Sequence, residues 1–395
     1  MEDKYNLLDK EKSTEEHYVI RHGVKEIYEE AFVYCDQILS ITIPDTVKYI
    51  GESAFYGCKG LTSIEIPNSV TIINKYAFSE CHGVTSIEIP YSVLYIGEGA
   101  FSNCLSLTSI LVDEQNCNYS SLNGVLYNKD ISTINCVPAG ISGAFSIPQG
   151  VKIIEHSAFK CCITITSVDI PNSVVDICPY AFVGCKSLST IVIPDSVTYI
   201  GYFAFNNCIE LKELAIPKDV ETIGDYAFSW CNKLNLSLKS NNYFIIEEGA
   251  LYDKEKTELL YVPINSSGEF TIPSGVTNIR YGSFTGCEKL TNIIIPDSTF
   301  VLEPYTFNSC KGLESITIPS SVEKIDNHIF YNCDNLKEIH CKIRNPKYIN
   351  IRSKAFDGFN IDACTLYIPI GCSYAYRQHP IFSKFKKIVT EEAHE

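Results

Sequence analysis

The sequence predicts an α/β fold in the form of a right-handed solenoid of about 15 coils, because one short unit recurs along the chain. The unit is clearest from Leu61 to Cys81, LTSIEIPNSVTIINKYAFSEC, and the prolines that follow Ile43 and Ile66 lie 23 residues apart. A fixed period of 20 to 29 residues with regularly placed Leu and Ile is typical of leucine-rich repeat solenoids. Because a solenoid grows in one dimension without separate cores, we expect one repeat domain over residues 17–356.

Each unit predicts a strand, a stop and a turn. Ile64 and Ile66 alternate with Glu65, which is the pattern of a half-buried strand with the isoleucines inward. Pro67 ends the strand, because proline cannot donate a hydrogen bond to a ladder. The Ala-Phe-x-x-Cys segment around Phe78 has near-helical spacing and predicts a single 3₁₀ or α turn. A parallel sheet on one face and short turns on the other are therefore expected.

Two side-chain columns should fill the core. Eleven of the eighteen cysteines occupy one repeat position, and buried thiols are favoured over disulfides there, because side chains in register point in parallel. Seven cysteines lie off the column and are the better candidates for disulfide pairing: Cys117, Cys136, Cys161, Cys178, Cys341, Cys364 and Cys372. The core spine is expected from Phe32, Phe55, Phe78, Phe101, Phe159, Phe182, Phe205, Phe228, Phe284, Phe307, Phe330 and Phe356.

The period breaks twice in the same way. The stretches GVLYNKD at 124–130 and GALYDKE at 249–255 place apolar runs around a polar turn, which predicts β-hairpin inserts near 113–144 and 239–269. Each hairpin should replace the turn that its repeat lacks. The ends differ from the middle: residues 1–16 are polar and read as a frayed helix or disorder, and residues 357–395 predict a last strand and a cap.

Charge and hydropathy exclude several classes of function. The net charge is −15 and no Lys/Arg-rich stripe is present, which argues against a nucleic-acid partner. No run of about 18 apolar residues predicts a transmembrane helix. The first residues lack the apolar core of a secretory signal. The alternatives are a surface or extracellular protein without its targeting segment, or a cytoplasmic scaffold with reduced, buried cysteines.

The fragments I-P-x-S-V, I-G-x-x-A-F and C-x-x-L-T-S-I closely resemble the BspA-like subfamily of leucine-rich repeat proteins (LRR_5 type), over roughly residues 17–388. Similar proteins occur in gut and oral bacteria and in mucosal protists. The resemblance implies a non-enzymatic cell-surface or secreted protein that adheres to host matrix proteins, to other microbes or to epithelium. Its partner would be a protein or a glycan, and we expect the chain to be a monomer.

No catalytic motif emerges from the sequence. It contains no G-x-S-x-G, no H-E-x-x-H, no P-loop and no G-x-G-x-x-G, so we expect neither enzymatic activity nor a cofactor. Four residues at the C-terminal end carry potential metal ligands: His340, Cys341, Cys364 and Cys372. Their spacing fits no compact zinc pattern, and no metal site is expected.

The outward positions of the strands form the first candidate binding surface. They are acidic in the N-terminal part of the chain and apolar in the middle, a gradation that suits docking of an extended protein partner. The alternative is an undedicated surface, which the sequence favours slightly. The row consists of Thr42, Glu65, Glu88, Leu111, Asp169, Val192, Ala215, Ile294 and Thr317.

A second candidate row is aromatic. Its members share the position before or near the Ala-Phe pair and are Tyr76, Tyr180, Phe203, Tyr226 and Tyr305. Exposed aromatic rows stack on sugars or anchor a protein partner. The alternative, which we favour, is that these rings pack against one another along the ridge between coils.

Overall fold

The computed structural model describes residues 4–5 and 16–391 as a parallel-strand β-solenoid of about 16 turns with almost no helix. The predicted fold class is therefore confirmed. The chain divides into two compact units: unit 1 is Met1–Lys212 with Thr222–Gly224, and unit 2 is Glu213–Glu221 with Asp225–Glu395. Most of the segment 1–16 lies outside the described residues, and the solenoid limits at 17 and 356 remain predictions.

The Ile-x-Ile segments form one longer strand in each turn, and we call the outward side of these strands the long-strand face. Neighbouring strands pair in parallel one repeat apart, so that Glu88 lies opposite Leu111. The strands of unit 1 are His17–Val19, Ser40–Thr42, Ser63–Ile64, Ser86–Ile89, Ser109–Val112, Gly143–Ser146, Ile165–Asp169 and Thr190–Val192. Those of unit 2 are Glu213–Ile216, Asn235–Leu238, Ser267–Thr271, Lys289–Ile294, Ser315–Ile318, Glu338–Cys341, Thr365–Pro369 and Lys387–Glu391.

A second ladder of two-residue strands follows the proline turns. From Glu26–Ile27 onward each has one inward isoleucine or leucine, and Ile50, Ile73 and Ile177 are completely buried. In unit 1 these strands are Lys4–Tyr5, Glu26–Ile27, Tyr49–Ile50, Ile72–Ile73, Tyr95–Ile96, Ile153–Ile154, Asp176–Ile177, Tyr199–Ile200 and Thr222–Ile223. In unit 2 they are Asn278–Ile279, Val301–Leu302, Lys324–Ile325 and Asn350–Ile351.

The Ala-Phe-x-x-Cys segments are single turns rather than helices. The Ala77 amide donates to the Asn74 carbonyl at 3.3 Å, as in a 3₁₀ turn, but the next amide, Phe78, donates to Ala100 of the following coil at 2.8 Å. Tyr76 and Glu80 have left-handed backbones, with φ of 53° and 64°. Alternate amides therefore bond within the turn and to the neighbouring coil, which prevents a continuous helix.

The phenylalanine spine is confirmed. Phe55 and Phe78 stack with ring centroids 5.1 Å apart and planes within 3°, and Phe182 and Phe205 stack at 5.2 Å within 4°. All of these rings are at most 1% exposed. Such burial contributes on the order of 2 to 3 kcal/mol per ring, and the ring contacts add to it.

The cysteine column lies beside this spine and consists of thiols. The Cys81 thiol donates to the Phe55 carbonyl at 3.2 Å, and the Cys104 thiol donates to Phe78 in the same way at 3.1 Å. Burial raises the pKa of the Cys104 thiol to about 12. All eighteen cysteines are free, so the pairing proposed for the off-column cysteines is not found. The off-column cysteines are separate thiols within their coils or inserts.

Each insert is a three-stranded meander rather than a single hairpin. The strands are Tyr119–Leu122, Val125–Asn128 and Thr133–Cys136 in the first insert, and Phe244–Glu247, Ala250–Asp253 and Glu258–Tyr261 in the second. The first two pairings are antiparallel. The third strand then pairs in parallel with the next two-residue strand, so it replaces the missing one of its own turn.

A buried asparagine fastens each insert to the coil before it. The Asn116 side-chain amide donates to the carbonyls of Pro90 and Val93 at 2.9 and 3.0 Å, and its oxygen accepts from the amides of Asn118 and Tyr119, both at 2.9 Å. Asn241 makes the equivalent four bonds in the second insert. Full satisfaction makes a buried amide stabilising, and it fixes the insert's register.

The C-terminal segment contains more structure than one strand and a cap. After Thr365–Pro369 come the α-helix Ser373–Gln378, the 3₁₀ turn Phe382–Lys384 and the further parallel strand Lys387–Glu391; another 3₁₀ turn, Pro346–Tyr348, precedes them. Tyr376 of the helix is fully buried, and its hydroxyl donates to the Ile343 carbonyl at 2.6 Å. This bond and the buried rings of Phe382 and Phe385 close the apolar end of the core.

Candidate functional site

The long-strand face of unit 1 brings the predicted outward row into register. Leu111 lies opposite Glu88, and Asp169 lies opposite Val192. Val192 is 69% exposed and Leu111 is 47% exposed, which is unusual for aliphatic side chains within a sheet. The inward neighbours, such as Ile191, are buried, so the exposure follows from the strand alternation that the sequence predicted.

An open groove of about 610 Å³ lies on this face at the N-terminal repeats. Three carboxylates line it, those of Glu65, Glu88 and Asp113, beside the apolar Leu111. No lysine or arginine is among its lining residues. The rest of the polar lining comes from small side chains, namely Thr62, Ser63, Asn68, Thr85 and Ser86. The groove is therefore acidic and partly apolar.

In unit 2, the outward row of the long strands also includes His340, which was not assigned to it from the sequence. Thr317 lies opposite His340, which stacks on Tyr367 with centroids 4.5 Å apart and planes within 5°. His340 Nδ1 lies 2.8 Å from a Glu391 carboxylate oxygen. The signal was available, because His340 lies one period after Thr317. Ala215 and Ile294, also predicted, pair opposite Ser237 and Thr271.

The aromatic row of unit 1 packs against itself. Tyr180 and Phe203 stack at 5.1 Å with planes within 7°. Tyr76 lies over Gly99 of the next coil, where a Cβ atom would come within 2.7 Å of its ring, and meets His156 edge-on at 6.4 Å. These half-buried rings favour the ridge-packing alternative over a free platform for sugars.

The aromatic row of unit 2 follows the same plan. Tyr226, only 8% exposed, contacts Tyr281 at 5.0 Å, and Tyr281 contacts Tyr305 at 5.9 Å. Tyr281 and, in unit 1, His156 were missed because they stand one residue before the expected position. In both cases a small residue, Gly282 or Ser157, occupies that position, and the preceding side chain supplies the ring instead.

Residues 4–5 and 16–391 include no helix with the length and apolar character of a membrane span. The same residues contain no group of three or more His, Cys, Asp or Glu side chains placed to hold a metal ion.

The repeat of this chain is also found in known proteins. A family model described as "BspA type Leucine rich repeat region" matches residues 16–141, 152–267 and 264–379, in six copies. The chain belongs to this family. Leucine-rich repeat proteins bind protein ligands, and proteins of the BspA type are typically non-catalytic. No curated protein sequence matches the chain.

Several solved structures are similar. A leucine-rich repeat protein from Eubacterium ventriosum is 28% identical, with 89% of this chain and 84% of that one covered and a TM-score of 0.47. A leucine rich cell surface protein from Faecalibacterium prausnitzii is 22% identical, with 96% and 89% covered and a TM-score of 0.48. The pneumococcal vaccine antigen PcpA is 19% identical, with 94% and 72% covered and a TM-score of 0.43.

Proposed function

We propose that this BspA-type protein is a non-enzymatic adhesin of the cell surface or extracellular space, which holds an extended protein segment on the long-strand face of unit 1. The observation that carries the proposal is the groove in which Glu65, Glu88 and Asp113 surround the exposed Leu111. A host matrix or epithelial surface protein with basic and apolar side chains would suit it, and a glycan is the other ligand class in view.

The chemistry of such binding is additive. Each carboxylate attracts a Lys or Arg side chain of the partner, and Leu111 and Val192 offer apolar contacts that lose water on binding. Because the contacts repeat with the coils, no single one dominates, and affinity arises from many weak contacts acting together. Surface attraction of this kind is screened by salt.

The first test is a pull-down with the full chain under non-reducing conditions against host matrix and epithelial surface proteins, with a glycan array in parallel. For a saturable hit, Glu65→Lys and Val192→Glu should each weaken binding about 3- to 10-fold, corresponding to about 0.7 to 1.4 kcal/mol. Glu29→Lys, an exposed charge reversal outside the groove lining, is the matched control and should leave binding unchanged. Complete loss from either single substitution, or no loss from both, would contradict multivalent binding on this face.

A second candidate is an intracellular scaffold, and the eighteen free cysteines are the observation that favours it. The buried column is inert in any compartment, since burial raises the pKa of thiols such as Cys58 to about 12. The exposed Cys117 is informative, because a membrane-impermeant maleimide applied to intact producing cells reaches it only at the surface. Labelling that Cys117→Ser abolishes supports the adhesin; labelling that requires lysis supports the scaffold.

A further inference from the structure

A cation of the repeat that follows the second insert pairs with carboxylates of the insert and of the preceding repeat. Arg280 Nη2 lies 2.7 Å from Asp225 Oδ1, and Arg280 Nη1 lies 3.6 Å from Glu258 Oε2. The ring of Tyr261, in the third strand of the insert, is 7% exposed and packs edge-on against Phe228 of the preceding repeat at 5.9 Å. The ion pairs and this ring contact join the second insert to the repeats on both sides.

At the first insert, neither the arginine nor the tyrosine ring is present. In the aligned sequence Glu155 stands at the position of Arg280, Glu98 at that of Asp225, and Cys136 at that of Tyr261. The cation is thus replaced by a carboxylate and the ring by a small thiol. A cavity of about 230 Å³ remains there, lined by Glu98, Glu155, Cys136 and also Asn135, His156, Tyr95 and Phe101.

The walls of this cavity offer hydrogen-bond acceptors. The Asn135 side-chain oxygen is buried and has no hydrogen-bond partner among the described residues. Glu155 accepts a bond from the His156 backbone amide at 3.0 Å, and no described cation pairs with it. Glu98 is bound on its outer side by Lys75 at 2.9 Å, and that lysine is not among the lining residues. A buried acceptor without a donor is costly, so a donor-rich ligand is favoured.

Two basic residues near the cavity, Lys160 and His156, do not add a positive charge to its lining. Lys160 lies over the ring of Tyr76, 5.4 Å from its centroid, and does not line the cavity. Burial lowers the pKa of His156, so the imidazole is neutral near pH 7 and adds no positive charge. The lining therefore carries two carboxylates, of which Glu98 is paired with Lys75 from outside the lining and Glu155 has no described cation as a partner.

We propose that this cavity binds a guanidinium group supplied by another molecule, at the position that corresponds to Arg280 beside the second insert. A planar guanidinium has five N–H donors in a fork, which suits the carboxylates of Glu155 and Glu98 and the oxygen of Asn135. The ring of Tyr95 adds an aromatic face for the cation. The group is either an arginine side chain of a peptide or a free guanidino compound. The site lies outside the lining of the acidic groove, so this inference does not rest on the proposed function.

The test uses the full chain and isothermal titration with three probes: agmatine, acetyl-Gly-Arg-Gly-amide and the same peptide with citrulline for arginine. We expect saturable binding of agmatine or of the arginine peptide, and the responding probe identifies the source. Citrulline keeps the shape without the charge and should bind about tenfold more weakly or not at all. Absence of saturation by both cationic probes, or equal binding of the citrulline peptide, would overturn the proposal.

Substitutions in the chain test whether the guanidinium group binds in this cavity. Glu155→Gln keeps the side-chain size and should weaken binding about tenfold, whereas Glu114→Gln, an exposed change in the same insert, is the matched control and should alter it less than about twofold. Glu155→Arg should abolish binding, because the new side chain supplies the cation internally. In the opposite direction, Arg280→Ala should create a second agmatine site. Unchanged affinity in Glu155→Gln, with the control also unchanged, would refute the assignment to this cavity.

Discussion

The first and second inserts share their strand order and their buried asparagine, but they differ in the side chains at their junctions with the repeats on either side. The second places Tyr261 against Phe228 and pairs Arg280 with Asp225. The first has a thiol, Cys136, and a carboxylate, Glu155, at the corresponding places, and a cavity remains. Backbone pairing and the asparagine bonds fix the insert, so the side chains at the junction are free to differ. Corresponding positions thus hold an ion pair and an aromatic ring at the second insert, and they line a cavity at the first.

The largest effect is expected in the phenylalanine spine. Phe182 has ring neighbours on both sides, at 4.7 and 5.2 Å, whereas Phe101, beside the cavity, has Phe78 at 5.8 Å as its one ring neighbour among the described residues. Phe182→Ala should lower the free energy of unfolding by about 3 to 5 kcal/mol. Phe101→Ala should cost about 1 kcal/mol less, since it loses one aromatic contact rather than two. Denaturant titration measures both, and equal losses would contradict an open first junction.

Next in size is the removal of the ring that closes the second insert. Tyr261→Cys reproduces the first insert and should cost about 2 to 4 kcal/mol, because it opens a cavity beside Phe228. Tyr243→Ala, at a site that is 44% exposed, is the matched control and should change stability by less than about 0.5 kcal/mol. A Tyr261→Cys protein that melts like the parent would show that the ring fills no essential space.

A smaller effect is expected from Arg280→Ala, about 1 to 3 kcal/mol near pH 7, because Asp225 then lies half-buried without its cation. Burial raises the pKa of Asp225 and Arg280 opposes that rise, so the substitution should raise this pKa further. A folded-state pKa above the unfolded value favours the protonated fold, and stability falls as pH rises through the folded pKa. The loss should therefore shrink as the pH is lowered toward about 4, near the unfolded pKa of Asp. Thermal melts across this range measure it, and a loss independent of pH would exclude the ion pair as the cause.

The smallest change is expected from Lys75→Ala beside the first insert. Lys75 and Glu98 form a pair at 2.9 Å with both side chains 41% exposed. Exposed pairs contribute less than about 1 kcal/mol and are screened by salt. Its melting temperature should stay within a few degrees of the parent's, and a larger loss would mean that the first junction is closed by charge after all.

The repeat made most of the core predictable. Ile64, Phe78 and Cys81 recur in phase, and a period of 23 residues leaves one arrangement in which all of them are buried. The single turn after Tyr76 was predicted, but its hydrogen bonds to the next coil were not, because apolar spacing does not show which carbonyl groups the amides will meet. The final strand Lys387–Glu391, which pairs in parallel with Thr365–Pro369, was also missed, since it lacks the Ile-Pro signature.

The candidate sites divide in the same way. The exposure of Glu65 and Val192 follows from strand alternation and could be predicted residue by residue. His156 and Tyr281 entered the aromatic row from one position earlier, which only the packing of neighbouring rings reveals. The cavity at Asn135 could not be predicted, because its volume depends on how side chains from separate parts of the chain pack after folding, and the sequence does not show that packing.

By itself, the sequence determined the coil, the inward columns of phenylalanine and cysteine and the outward row, because each follows from a periodic pattern of apolar and polar residues. Only the tertiary structure decided that the turn residues bond to the next coil, that the inserts are meanders fastened by Asn116 and Asn241, and that one junction is filled and the other open. The physical reason is that burial patterns are local and repeat along the chain, whereas hydrogen-bond partners and unfilled volume depend on residues that meet only after folding.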